Sequence, residues 1–232
     1  MFRRIVMTAL AAGALAGIFV TGLQMVTTVP LISFAEQYEG GAESGHEHGE
    51  EATDGEESSH DHSMAWMPEE GFERHGFTLL TSVLMSVGYS FMLAALFALR
   101  GQNVDTRQGV LWGLAGFASL YVAPALGIPP ELPGMMGGDF DHRQLWWIAT
   151  AIATAISLGL LVFGTNAVMR IAGVVIMVIP HVVGAPRPGE FTHDLPTEVV
   201  AQFAVSSLVT VGLFWAVLGG LVGYFFNKFE DA

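Results

Sequence analysis

The chain has 232 residues, of which 52% are hydrophobic and only 13% are charged. Soluble domains usually carry about 25% charged residues, so this composition excludes an ordinary soluble domain and indicates a membrane protein. The net charge of -13 is concentrated between Ser33 and Arg74, where 13 acidic residues accompany one basic residue. This balance excludes a nucleic-acid reader, which needs a basic surface, and the absence of cysteine excludes disulfides and thiolate metal sites.

The apolar runs predict an all-α polytopic integral membrane protein in one membrane domain, a helical bundle of about six transmembrane helices with five as the alternative. A hydrocarbon core of about 30 Å takes roughly 20 helical residues. The predicted spans are approximately 5–32, 76–99, 108–128, 145–166, 171–186 and 199–227. The fifth is short and contains Pro180-His181, so it is either a short full span or a broken half-helix that re-enters the membrane. We favour six spans.

The first span follows the basic pair Arg3-Arg4. A signal peptide has an apolar region of about 7–15 residues, and the run here is much longer, so we predict an uncleaved first helix. The arginine pair places the N-terminus in the cytoplasm, and with either span count the loop 33–74 lies outside, facing away from the cytoplasm at the inner membrane. Gly-x-x-x-Gly motifs predict close helix contacts, and they begin at Gly13, Gly109 and Gly219.

The acidic loop contains two His-acid-His triplets, His46-Glu47-His48 and His60-Asp61-His62. Imidazole is a ligand for cobalt, nickel, zinc and copper, and the neighbouring carboxylates add charge and oxygen ligands. We therefore predict transition-metal binding by His46, His48, His60 and His62, with Glu47 and Asp61. The alternative is a solvated acidic linker, because a stretch rich in Gly, Ser and Glu is also typical of disorder.

His181 is a lone imidazole in an apolar run. It is a candidate metal ligand or relay group on a pathway, or alternatively a cap at the end of a short helix. Further pathway candidates lie near the span boundaries, and they are Glu73, Glu131, Asp139, Asp141 and His142. The sequence has no phosphate-binding loop and no dinucleotide fingerprint, so we predict no nucleotide site, no enzyme activity and no firmly implied cofactor.

Several motifs together resemble one family, the CbtA proteins, which are proposed cobalt transporter subunits. The matching stretches are Arg3-Arg4-Ile5, Trp66-x-Pro68-Glu69-x-Gly71-x-Glu73-Arg74, Trp112-Gly113-x-x-Gly116-Phe117, the stretch from Ala123 to Gly134, Arg143-Gln144-Leu145-Trp146-Trp147 and Pro180-His181-x-x-Gly184-Ala185-Pro186-x-Pro188. The resemblance implies cobalt import for cobalamin synthesis together with a small, single-span, His-rich partner subunit, CbtB. The family is usually described with five spans, and the loop histidines lie outside the matching motifs.

The sequence thus predicts a membrane component, embedded in the lipid bilayer, for uptake of a divalent transition metal. Co²⁺ is the expected substrate, with Ni²⁺, Zn²⁺ and copper as alternatives. The competing predictions are a copper-, zinc- or nickel-handling membrane protein, and a non-transporting membrane subunit that docks a partner.

Overall fold

A computed structural model describes residues 1–43, 71–101, 104–135, 139–186 and 195–230, except for the side chains of residues 39–43. Within these ranges all regular structure is helical, which confirms the all-α prediction. The helices are α1 (Phe2–Thr27), α2 (Val29–Glu43), α3 (Phe72–Arg100), α4 (Thr106–Phe117), α5 (Ala123–Ala125), α6 (Phe140–Phe163), α7 (Ala167–Val183) and α8 (Thr197–Lys228). A π-helical segment, Ala118–Val122, joins α4 to α5.

The lengths of these helices match a membrane protein with several spans. Four of them, α1, α3, α6 and α8, are long and apolar enough to cross a membrane, and α7 is a shorter apolar helix of 17 residues. The helical stretch from α4 through the π-helical segment to α5 is continuous over residues 106–125. The structure therefore confirms a polytopic α-helical membrane protein, whereas five versus six crossings stays a prediction.

The first predicted span, 5–32, is divided in two by Pro30. Proline has no N–H, and its ring clashes with the carbonyl four residues earlier, so α1 ends at Thr27. The N–H groups of Leu31 and Ile32 both bond to the Thr28 carbonyl, at 3.1 and 3.0 Å, and α2 begins there. This second helix continues well beyond the apolar run, to Glu43.

Four helices form a bundle that is held together by close backbone contacts. Helix α1 packs against both α3 and α8, and α4 packs against α8. A Cβ atom on Gly17 would lie 2.6 Å from the Val83 Cα, and one on Gly223 would lie 2.6 Å from the Asp105 carbonyl oxygen. The predicted close contacts at the Gly-x-x-x-Gly motifs are therefore confirmed, and the motifs of α4 and α8 face each other.

Helices α6 and α7 form an antiparallel hairpin beside this bundle. Gly173 lies against the carbonyl of Ser157, and Trp146 Nε1, near the beginning of α6, donates to the carbonyl of Pro180, near the end of α7. Helix α7 remains continuous through Pro180 to Val183 and returns along α6. The hairpin reaches the rest of the molecule through α6, which contacts the π-helical segment and α5.

The helix ends at one side of the bundle carry most of the basic residues. Arg4 Nε donates to the carbonyl of Phe226 at 2.6 Å, and Asn227 Nδ2 donates to the carbonyl of Val104 at 3.1 Å. The guanidinium of Arg100 lies 4.4 Å from the ring centroid of Phe163. These contacts gather the starts of α1 and α4 with the ends of α3, α6 and α8. We call this side the basic end, and it carries Arg3, Arg4, Arg100, Arg107, Arg170 and Lys228.

Candidate functional site

The opposite side, which we call the acidic end, is closed by an ion pair between α2 and α3. Arg74 donates to both carboxylate oxygens of Glu36, at 3.0 and 2.5 Å. Such a bidentate arrangement is the strongest geometry for an arginine–carboxylate pair, and both side chains are about two-thirds buried. It ties together the two helices that flank residues 44–70.

The predicted loop ligands lie in that interval. His46, Glu47, His48, His60, Asp61 and His62 all fall outside the residues that the structure describes. The metal site predicted for them therefore stays a prediction. Among the described residues, no group of three or more histidine or acidic side chains is placed to hold one metal ion.

His181 lies in the last turn of α7 and is half-buried. Its ring meets the indole of Trp146 edge to face, with 6.1 Å between centroids. The same indole donates from Nε1 to the carbonyl of Pro180 at 3.1 Å, and a Cβ atom on Gly127 would come within 2.5 Å of it. Contacts among α6, α7 and the loop after α5 thus hold the imidazole at the acidic end.

Glu131 belongs to a second ion pair at the acidic end. Its Oε2 lies 2.7 Å from Nη2 of Arg143 on α6, and both side chains are largely buried. The adjacent Leu132 packs with Ala35 of α2 and with Leu195 and Phe203 near the start of α8 in a small apolar core. The carboxylate of Glu131 therefore has a cationic partner, and the pair connects the loop after α5 to α6.

Asp139, Asp141 and His142 lie at the start of α6 and are exposed. Asp139 caps the helix by accepting the backbone N–H of His142 at 3.0 Å, and its carboxylate also lies 3.0 Å from His142 Nδ1. The backbone hydrogen bond lowers the pKa of Asp139 below its ordinary value, because it stabilises the charged form. Glu73 is exposed in the first turn of α3, where the helix dipole favours a negative charge.

The candidate residues thus share one end of the molecule without sharing one site. Asp139 and His142 are in contact, whereas Glu131 is paired with Arg143, and His181 packs on Trp146. The sequence reasoning missed Arg143 and Trp146 as the partners that position Glu131 and His181. Contacts between a loop and a helix, or between two helices, have no fixed spacing along the chain, so no local signal pointed to them.

The long apolar helices, with a basic end on one side of the bundle and an acidic end on the other, define a polytopic α-helical membrane protein. The chain belongs to the CbtA family, since a family model described as "Probable cobalt transporter subunit (CbtA)" matches residues 2–227. This match confirms the resemblance that the motifs carried. Its description as a subunit implies a partner subunit. Neither a curated protein nor a solved structure matches the chain.

Proposed function

We propose that the chain is the membrane-embedded component for uptake of a divalent transition metal, with Co²⁺ as its substrate and cobalamin synthesis as its destination. The observation that carries the proposal is the family match, which extends over residues 2–227. The membrane-length helices are consistent with it. The expected location is the inner membrane, with the N-terminus in the cytoplasm.

The separation of charge between the two ends supports this orientation. Basic residues are retained preferentially on the cytoplasmic side, and the basic end brings together the start of α1 with the ends of α3 and α8. The acidic end then faces outward and receives the loop between α2 and α3. A cation approaching from outside meets this loop first.

The proposed role of the loop is capture. A local charge of -12 raises the cation concentration near the membrane, an effect that falls with ionic strength, and the four loop histidines select for transition metals. The Glu36–Arg74 ion pair keeps both ends of the loop beside the bundle. The groups at the mouth, Glu73, Glu131, Asp139, Asp141, His142 and His181, are the proposed next contacts for the ion.

The proposed partner is a small, single-span, His-rich membrane subunit of the CbtB type. The chain has no recognisable nucleotide-binding motif, so the energy for transport would come from the membrane potential, an ion gradient or a partner.

The test is accumulation of radioactive cobalt in cells without their own cobalt uptake, which express this chain alone, the partner alone, both or neither. We expect cobalt to accumulate when the chain is present, and most strongly with the partner. Competition by unlabelled Ni²⁺, Zn²⁺ and copper separates cobalt uptake from the alternative metals. If accumulation is the same with and without the chain in both backgrounds, the proposed function is wrong.

A further inference from the structure

The helical stretch from Thr106 to Ala125 changes its hydrogen-bond register in the middle of the bundle. In the π-helical segment the N–H of Ala123 bonds to the carbonyl of Ala118, five residues back. In an α-helix the carbonyl of Ser119 would accept the N–H of Ala123, but that N–H is bonded to Ala118. In a π-helix it would accept the N–H of Pro124, but proline has no N–H. The carbonyl oxygen of Ser119 is thereby left without either of these donors. Such π-helical insertions are frequent at functional sites.

One residue of this segment, Tyr121, packs against an aromatic hydroxyl and an indole from two other helices. The hydroxyl of Tyr121 lies 3.4 Å from the hydroxyl of Tyr89 on α3. Both rings contact Trp215 of α8, with centroids 6.4 and 4.9 Å away. Trp215 is fully buried, and its Nε1 has no hydrogen-bond partner. Counted from the basic ends of their helices, these three residues lie about 16 to 22 Å along, which is inside a hydrocarbon core of about 30 Å.

Helix α6 brings a further unpartnered polar group to the same depth. It contacts the π-helical segment, and its buried face is mostly polar. The hydroxyls of Thr154 and Ser157 bond to carbonyls of their own helix, at 2.8 and 2.6 Å. The hydroxyl of Thr150 is fully buried and has no partner. Thr150 lies about 20 Å from the basic end of α6, level with Tyr121.

We propose that this layer is an intramembrane binding site for a partly hydrated divalent cation, formed by the hydroxyls of Tyr89, Tyr121 and Thr150 and the carbonyl of Ser119. The inference rests on the proposed function and adds the place where the ion is held during its passage. Neutral oxygens replace part of a hydration shell, and without a carboxylate they bind weakly enough for the ion to leave. Transporters often place such sites at mid-depth beside a discontinuous helix.

The packing differs between the bundle and the hairpin. Close glycine contacts fix the backbones of α1 to α3 and of α4 to α8. The α6–α7 hairpin has no such contact with the bundle among the described residues, and it reaches the bundle through α6, which packs against α4, the π-helical segment and α5. The hairpin is therefore joined to the bundle by side-chain contacts, among them the Arg100–Phe163 contact and the Glu131–Arg143 ion pair, and not by close glycine packing.

The first test measures the maximal rate of cobalt uptake at saturating Co²⁺. We expect the double variant Tyr89→Phe with Tyr121→Phe to have a maximal rate about tenfold lower when its abundance in the membrane is the parental one. The variant keeps both rings and removes only the hydroxyls. Tyr224→Phe is the matched control, since Tyr224 is exposed near the end of α8. Uptake by the double variant at the parental rate would overturn the site as a step on the path.

The second test measures binding without transport. In the purified full-length chain with the four loop histidines replaced by alanine, Co²⁺ alone should quench tryptophan fluorescence saturably through the nearby Trp215. We expect Thr150→Val and the double tyrosine variant to lose this quenching and Tyr224→Phe to keep it. Quenching that is the same in all variants overturns the site, whatever uptake shows. Quenching that depends on the tyrosines, in a chain that accumulates no cobalt in cells, supports the site and refutes the proposed function.

Discussion

The indole of Trp146 joins the end of α7 to the beginning of α6. It donates a 3.1 Å hydrogen bond to the carbonyl of Pro180, and its ring packs against the ring of His181. The same carbonyl accepts the backbone N–H of Gly184 at 3.0 Å, so the indole adds a second hydrogen bond to a carbonyl in the last turn of the helix. One side chain therefore closes the hairpin and also fixes the position of the imidazole at the acidic end.

This relationship predicts the effect of changing His181. If the imidazole contacts the passing ion, His181→Ala lowers the maximal rate of uptake even in excess metal, because no surplus of substrate replaces a missing group on the path. Gln202→Ala is the polar control from another helix, since Gln202 is exposed on α8. Uptake by His181→Ala at the parental maximal rate would leave the residue as an interfacial helix cap.

Trp146→Phe separates the position of His181 from its chemistry. The substitution keeps an aromatic ring and removes the N–H that bonds to Pro180, which costs about 1 kcal/mol of stability. We expect a lower thermal unfolding temperature in detergent and a partial form of the His181→Ala defect. An unchanged unfolding temperature would show that the hydrogen bond does not hold the hairpin closed.

The pair of Glu131 and Arg143 allows a charge exchange that distinguishes structure from metal contact. Glu131→Gln leaves a largely buried guanidinium without its counter-charge, and we expect a loss of about 1–3 kcal/mol. The exchange Glu131→Arg with Arg143→Glu restores opposite charges. If the pair is purely structural, thermal stability and uptake both recover in the double variant. Recovery of stability without uptake would identify Glu131 as a contact of the ion.

Substitution of Gly113 and of Gly159 by alanine should change the free energy of unfolding in opposite directions. A Cβ atom on Gly113 would overlap the backbone of Trp215 and Gly219, whereas one on Gly159 meets nothing within 4 Å. Gly113→Ala should therefore lower the free energy of unfolding by about 1–3 kcal/mol. Gly159→Ala should raise it by up to about 1 kcal/mol through helix propensity. Equal effects in a detergent unfolding assay would contradict the close packing of α4 on α8.

The elements of this fold were predictable because they depend on long apolar runs, while the contacts between them were not. The runs located α3, α6 and α8 within a few residues, and the glycine motifs indicated where backbones meet. The break between α1 and α2 at Thr28 follows from Pro30. This proline is visible in the sequence, but it was not used to divide the first predicted span. The π-helical segment had no such sign apart from Pro124, since a change of register inside an apolar helix leaves the hydropathy unaltered.

The same contrast holds for the candidate site. His181 and Glu131 stood out as ionisable residues at the boundaries of apolar segments. Their partners, Trp146 and Arg143, are brought to them by the packing of α6. Tyr89 and Tyr121 are 32 residues apart and meet only because α3 and the π-helical segment share the bundle. Polar groups on different helices have no common period, so only the folded chain brings them together.

The orientation of the chain is testable with single cysteines, because the natural chain has none. A cysteine placed at position 55 should react with a membrane-impermeant thiol reagent in intact cells. A cysteine added after Ala232 should be protected if the chain crosses the membrane six times, and it should react from outside if it crosses five times. Protection at position 55, together with labelling after cell disruption, would refute the outward assignment of the loop.

The loop itself should capture ions without conducting them. A peptide covering residues 45–63 should bind Co²⁺, Ni²⁺, Cu²⁺ or Zn²⁺, and its affinity should fall below about pH 6.5 because a protonated imidazole is not a ligand. Calorimetry that shows no more heat than a scrambled acidic peptide without histidine would make the loop a solvated linker.

In the whole chain, replacing His46, His48, His60 and His62 by glutamine keeps the acidic charge and removes the ligands. Uptake should then fall at scarce metal and recover in excess, because capture raises the local concentration without forming part of the path. His75→Gln is the matched control, since this exposed histidine in the first turn of α3 lies near the loop but outside both triplets. If the fourfold variant shows a lower maximal rate that excess metal does not restore, the loop histidines take part in conduction, and the division between capture at the loop and passage at His181 is wrong.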